Sequence, residues 1–145
     1  MHELINIQQL RHEVDNACTY TPSVLTYNIT TEFRMDDCKP YQIERGGCIW
    51  LNAEGAVGEV EFIYPNTLQN SNSLVVGQNI SGIPLFEVTA SKYDNPFIQS
   101  FEEGFLIWLK KTTEIELLIS HGKIGYLISN NKLCGMLAKN PQIIE

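Results

Sequence analysis

Phe105-Leu-Ile-Trp-Leu109, Glu114-Ile-Glu-Leu-Leu-Ile-Ser120, Ile124-Gly-Tyr-Leu-Ile-Ser129 and Lys132-Leu-Cys-Gly-Met-Leu137 decide the fold class. Each piece is short, apolar and rich in β-branched or aromatic residues, the composition of strands. They are divided by Lys110-Lys-Thr-Thr113, by His121-Gly-Lys123 and by Asn130-Asn131. The asparagine pair tolerates the positive φ that a two-residue hairpin turn demands. The pattern predicts four adjacent antiparallel strands, a C-terminal meander.

Upstream, Cys48 to Leu51, Asn52-Ala-Glu-Gly55 and Val57 to Tyr64 read as strand, turn and strand. Residues 24–33 alternate with period two and read as a further strand. Ile83 to Thr89 is another, and Pro84 restricts it to an edge or a strand start. Asn66 to Gly82, rich in Asn, Ser and Gly, reads as a long surface loop. Asn95-Pro96 opens a turn or short helix that runs through Glu103 and closes at Gly104. At the other terminus Leu4, Ile7, Leu10, Val14 and Ala17 recur every three to four residues, one face of a helix. The expectation is a single α+β domain over 1–145: an N-terminal helix plus a mainly antiparallel sheet built from hairpins and the meander. Ile49-Trp50-Leu51 before Glu59-x-Glu61 also echoes Ile107-Trp108-Leu109 before Glu114-x-Glu116, as though one hairpin pattern occurred twice.

The chain has 145 residues, 43% of them apolar and 19% charged, enough to bury a core and offset conformational entropy. Ten Lys and Arg against seventeen Asp and Glu leave a net charge of −7, which disfavours nucleic acid as a partner. Glu3 stands where a signal peptide would be basic, and no apolar run approaches the roughly 20 residues of a membrane span. A cytoplasmic protein with no membrane partner is expected, its cysteines reduced.

Cys18, Cys38, Cys48 and Cys134 form no C-x-x-C pair, so neither a zinc site nor any other cofactor is expected. Cys48 and Cys134 fall in expected strands and read as small buried apolar residues. Cys38, in a polar turn beside Lys39, is expected to be the most exposed thiol, with its pKa slightly lowered. His2, His12 and His121 are the bases available to a nucleophile, and no G-x-S-x-G elbow or glycine-rich phosphate loop is present. Glu59 with Glu61, and Glu114 with Glu116, place carboxylates about 7 Å apart along one strand face. That spacing suits an inverting glycosidase as well as a solvated sheet face.

Charge layout carries more. Residues 46–109 hold seven carboxylates and one lysine, whereas residues 92–145 hold six of each sign. Within the acidic stretch Glu54, Asp94, Glu102 and Glu103 fall in expected turns, where side chains reach a partner, and Tyr93 is a candidate aromatic anchor.

Ile49-Trp-Leu51 with Val57-Gly-Glu-Val-Glu-Phe-Ile-Tyr-Pro65, then Phe101-Glu-Glu-Gly-Phe-Leu-Ile-Trp-Leu109 and Tyr126-Leu-Ile-Ser-Asn-Asn-Lys-Leu133, give residues 45–137 a general resemblance to bacterial immunity proteins that neutralise polymorphic or contact-dependent toxins. The resemblance implies a role rather than a structure: a non-catalytic protein that binds a cognate toxin, typically a basic nuclease, and occludes its active site. A small ligand-binding or oligomerising β-rich module, and a small hydrolase using carboxylates, are the alternatives.

Overall fold

The computed structural model describes residues 1–9, 16–44, 46–69, 75–93 and 95–145. In chain order the strands are β1 (His2–Gln8), β2 (Ala17–Thr21), β3 (Thr26–Thr30), β4 (Lys39–Ile43), β5 (Gly47–Leu51), β6 (Val57–Ile63), β7 (Asn66–Gln69) and β8 (Val75–Ser81). They continue with β9 (Ile83–Val88), β10 (Phe97–Phe101), β11 (Gly104–Trp108), β12 (Glu114–His121), β13 (Ile124–Ser129), β14 (Lys132–Lys139) and β15 (Gln142–Ile143). Two single 3-10 turns, Pro22–Val24 and Glu32–Met35, complete the described elements.

These strands form two mixed sheets packed face to face. The smaller runs β15-β2-β3-β6-β5-β4 and the larger β7-β10-β11-β14-β13-β12-β8, with β1 and β9 added beside β14. One cluster of buried residues joins them: Tyr27, Ile29, Ile49, Val60 and Phe62 of the smaller sheet pack with Phe105, Ile107, Ile119, Tyr126 and Met136 of the larger. A second cluster, around Leu106, Trp108, Ile115 and Leu127, lies outside that seam. Trp108 is 1% exposed there, and its indole N–H donates to Gln99 Oε1 at 2.9 Å. The larger sheet shelters this cluster by curling. Laid flat, seven strands would hold β7 and β8 about 29 Å apart. Gln69, the end of one strand, and Val75, the start of the other, are six residues apart in sequence and so within about 22 Å of each other.

The expected α+β class with an N-terminal helix is not met: the described residues contain no α-helix, and the molecule is mostly strand. Leu4 and Ile7 belong to β1, and Ala17 opens β2; Leu10 and Val14 lie outside the described residues. The helical spacing has a local cause. A β-bulge between Leu4 and Asn6 inserts an extra residue, so Leu4 and Ile7, three apart, both pack against the core.

Other expectations also shift. The presumed loop at 66–82 contains β7 and β8, parallel partners of β10 and β12. The segment before Gly104 is strand β10, without a helical turn. The meander holds for β12, β13 and β14, but β11 pairs with β14 and has no ladder with β12. The two Ile-Trp-Leu patterns are therefore not equivalent: β5 pairs directly with β6, as a hairpin should. The turn chemistry at Asn130-Asn131 is as expected, with φ of 51° and 61° between the paired Ser129 and Lys132.

The strand β9 ties the sheets together. It pairs with β1, and Phe86 N–H donates to Gly55 O at 2.8 Å while Leu85 bridges Ala56. Gly55 has φ of 95°, and a Cβ on it would sit 2.2 Å from Phe86 O. Gly55→Ala therefore strains its own backbone and pushes β9 off the smaller sheet, at an expected cost of about 2–3 kcal/mol. Denaturant unfolding checks this, and a cost below about 0.5 kcal/mol would show that the crossing does not hold the sheets.

Candidate functional site

A groove of about 750 Å³ opens where the β2–β3 side of the smaller sheet meets the β10–β11 turn of the larger. Its wall is aromatic. Tyr20 stacks on Tyr27 at 4.5 Å, and Tyr27 meets Phe105 edge-on at 5.0 Å. Phe101 and Ile143 extend the apolar lining, and burial raises the Tyr27 hydroxyl pKa, keeping it neutral. Glu102 and Glu103, both exposed, form the tight turn between β10 and β11 and line the groove from the other side.

Beside this groove the surface is unusually apolar. Of the nine large hydrophobic residues exposed among the described residues, Leu25 and Ile143 line this groove. Tyr64 N–H donates to Leu25 O at 2.9 Å, and next to Tyr64 the exposed Ile63 pairs with Thr26 on the outward face, opposite the core residue Phe62. Exposed apolar surface of this kind marks interaction sites. Two of its members are also strained. Leu25 has φ of 42° and Tyr64 φ of 49°, the left-handed region that bulky side chains avoid, at a cost of about 1–2 kcal/mol each. Tyr64 is 62% exposed, so little burial of its own ring offsets that cost.

Of the residues singled out from sequence, Glu102 and Glu103 come together. Glu54 does not join them: it lies in the turn before β6, next to Glu87, and its Oε2 accepts from Gln8 Nε2 at 3.2 Å. The groove lies near the far end of β6, roughly 20 Å away by the rise of a seven-residue strand. Asp94 lies outside the described residues. Tyr93 is turned inward, 4% exposed, where its hydroxyl accepts from His2 N–H at 2.7 Å and donates to Leu133 O at 3.0 Å. It braces β1 against β14 and offers no exposed face. Leu25 and Tyr64, read from the sequence only as strand residues, carry no functional motif; only their backbone conformation marks them.

The candidate catalytic groups are dispersed. Glu59 and Glu61 stand on the outward face of β6, opposite the core residues Val60 and Phe62, and Glu59 accepts from Asn28. Cys18, Cys38 and Cys134 donate to main-chain carbonyls. His121 is fully buried, with Nε2 2.9 Å from Glu32 Oε1. His12 lies outside the described residues. Among the described residues no group of three or more His, Cys, Asp or Glu side chains could hold a metal ion, and no helix is long and apolar enough to cross a membrane. No protein-family model matches the chain, and no curated protein matches it.

The Cys38 thiol departs from expectation. Burial first, then the carboxylates of Asp36, Asp37 and Glu59, raise its pKa, whereas Lys39 was expected to lower it. The native protein should therefore alkylate at Cys38 ahead of the three buried cysteines, with a pH midpoint above that of free cysteine. Iodoacetamide labelling read by peptide mass checks this, and a midpoint below that of free cysteine would contradict it.

His2 is 1% exposed, stacked on Tyr93 and edge-on to Tyr41 and Phe86, with neither ring nitrogen hydrogen-bonded. Burial pushes its pKa down to about 4. The unfolded chain takes up this proton near pH 6.5 and the folded protein only near 4, so stability falls as pH drops through that window, by roughly 2–3 kcal/mol. In His2→Phe that portion of the acid destabilisation should vanish. Unfolding curves for both proteins at pH 7 and pH 4 measure it, and equal losses would refute it.

Proposed function

We propose that this chain is a non-catalytic immunity protein that binds a cognate bacterial toxin, a basic nuclease, in the cytoplasm and occludes its active site. The observation that carries the reading is the pairing, in one groove, of the acidic turn Glu102-Glu103 with the exposed apolar residues Leu25 and Ile143. Apolar surface supplies affinity when it is desolvated, and carboxylates at the rim attract and orient a cationic partner. The wider field has the same sense: residues 16–69, which build most of the smaller sheet, carry seven carboxylates and three cations, while residues 97–145 balance five of each. The dispersal of nucleophiles, bases and paired carboxylates favours binding over catalysis.

The direct test co-expresses the chain with the product of the gene beside its own. Growth rescue together with a stoichiometric complex is the expected outcome; a neighbouring product that is harmless, or that does not bind, sinks the immunity reading. Within a complex, Glu102→Lys with Glu103→Lys should slow association at least tenfold at low salt and flatten its salt dependence. Stability should stay within about 0.5 kcal/mol, because both side chains are exposed. Stopped-flow association at two salt concentrations reads this, and an unchanged rate at low salt would place the partner elsewhere.

A further inference from the structure

We infer that Leu25 and Tyr64 form a preorganised apolar anchor, held in left-handed backbone so that their side chains stay at the surface, and that it seats a segment of a partner polypeptide in which apolar residues alternate with Arg or Lys. This rests on the groove proposed above as the binding site and names the chemistry of what enters it.

Three observations converge. First, the two strained residues are neighbours, joined by the Tyr64 N–H to Leu25 O hydrogen bond. A single strained bulky residue is readily an accident of turn formation. Two on adjacent connections, both exposing apolar side chains, repeat the same uncompensated feature. Among the described residues asparagine occupies the other four non-glycine positive-φ positions, at 95, 130, 131 and 140, as expected for a residue that tolerates this region. Leucine and tyrosine are the exceptions, and exceptions of this kind concentrate where a surface serves binding.

Second, the anchor is continuous with the groove. Leu25 lines it, and so does Ile143 on the facing strand, so apolar surface runs from outside the rim to the Tyr20–Tyr27 stack. An open groove that continues onto exposed apolar residues outside its rim suits a polypeptide segment, which can fill the one and cover the other. Third, the charged residues lining the groove are Glu102 and Glu103, on a chain of net charge −7, so the complementary segment is basic. A cation entering there meets carboxylates on one side and aromatic faces on the other, a pairing that favours Arg or Lys over neutral polar side chains.

The experiment separates anchoring from folding. In Tyr64→Asn the left-handed position receives a residue that accepts it and an exposed ring is lost, so the melting temperature should rise by about 3 °C. The binding probe is a five-residue peptide alternating leucine with arginine and lysine, with a second peptide carrying glutamate in place of both cations. Amide chemical-shift titration should map the basic peptide to residues around Leu25, Tyr64 and Phe101, and the acidic peptide should bind at least tenfold more weakly. Tyr64→Asn should weaken the basic peptide at least fivefold; Met35→Asn, which removes an exposed apolar side chain outside this patch, should not. A melting temperature that falls in Tyr64→Asn, equal binding of the two peptides, or shifts elsewhere or none would overturn the inference. So would concentration-dependent dimerisation abolished by Tyr64→Asn, which would assign the patch to a second copy of the chain. Peptide binding without a toxin partner would leave this inference standing and the immunity reading refuted. A toxin complex indifferent to Tyr64→Asn would do the reverse.

Discussion

The main-chain crossing of Gly55 and Phe86 fixes more of this molecule than its single hydrogen bond suggests. Because Gly55 lacks a side chain, β9 can lie against the β5–β6 turn of the smaller sheet while its ladder is formed with β1. That position carries β1 to β14 of the larger sheet, where Leu4 N–H donates to Asn131 O and Asn131 Nδ2 returns a bond to Leu4 O. The type of turn at Asn130-Asn131 therefore matters beyond its hairpin, since it presents the groups that hold β1. His2 and Tyr93 are sealed in by the same arrangement, and the cost of leaving both imidazole nitrogens unpaired is sustained by the aromatic packing around the ring.

What the sequence made legible follows the range of the interactions involved. Asn130-Asn131 and the β5–β6 hairpin are local, and turn chemistry with alternation is sufficient to find them. The pairing of β11 with β14 is not local: Trp108 lies opposite Gly135, and no pattern within either strand chooses that partner over β12. The parallel edge strands β7 and β8 are harder still. Their composition is that of a loop, and they are strands because β10 and β12 offer open edges for their main chains to pair with. At β1 periodicity itself misled, since a bulge converts period two into a spacing of three and imitates a helix.

The candidate site divides in the same way. Glu102 and Glu103 are readable because a tight turn between apolar strands must expose its charges. Tyr93 is not, because whether an aromatic in an irregular segment turns in or out depends on a carbonyl, that of Leu133, forty residues away. Leu25 and Tyr64 look like ordinary strand residues beside proline-containing connections. Only the pairing of β3 with β6 brings them together, and only their φ values show that the fold holds them at some cost.

Charge and apolar surface play separable parts at such a groove. At 0.15 M salt the field of exposed carboxylates decays over about 8 Å, so in the proposed complex Glu102 and Glu103 would act on an approaching partner chiefly through the rate of encounter. With the proposed partner seated, water would leave the apolar surface, and the dissociation rate would be set by how well Leu25, Tyr64 and Ile143 are covered. Left-handed backbone at two of these positions would add to the second effect alone: it sets the direction in which each side chain leaves the main chain without altering the long-range field. A surface built this way can keep its on-rate while its affinity is tuned, because the residues that steer are not the residues that hold.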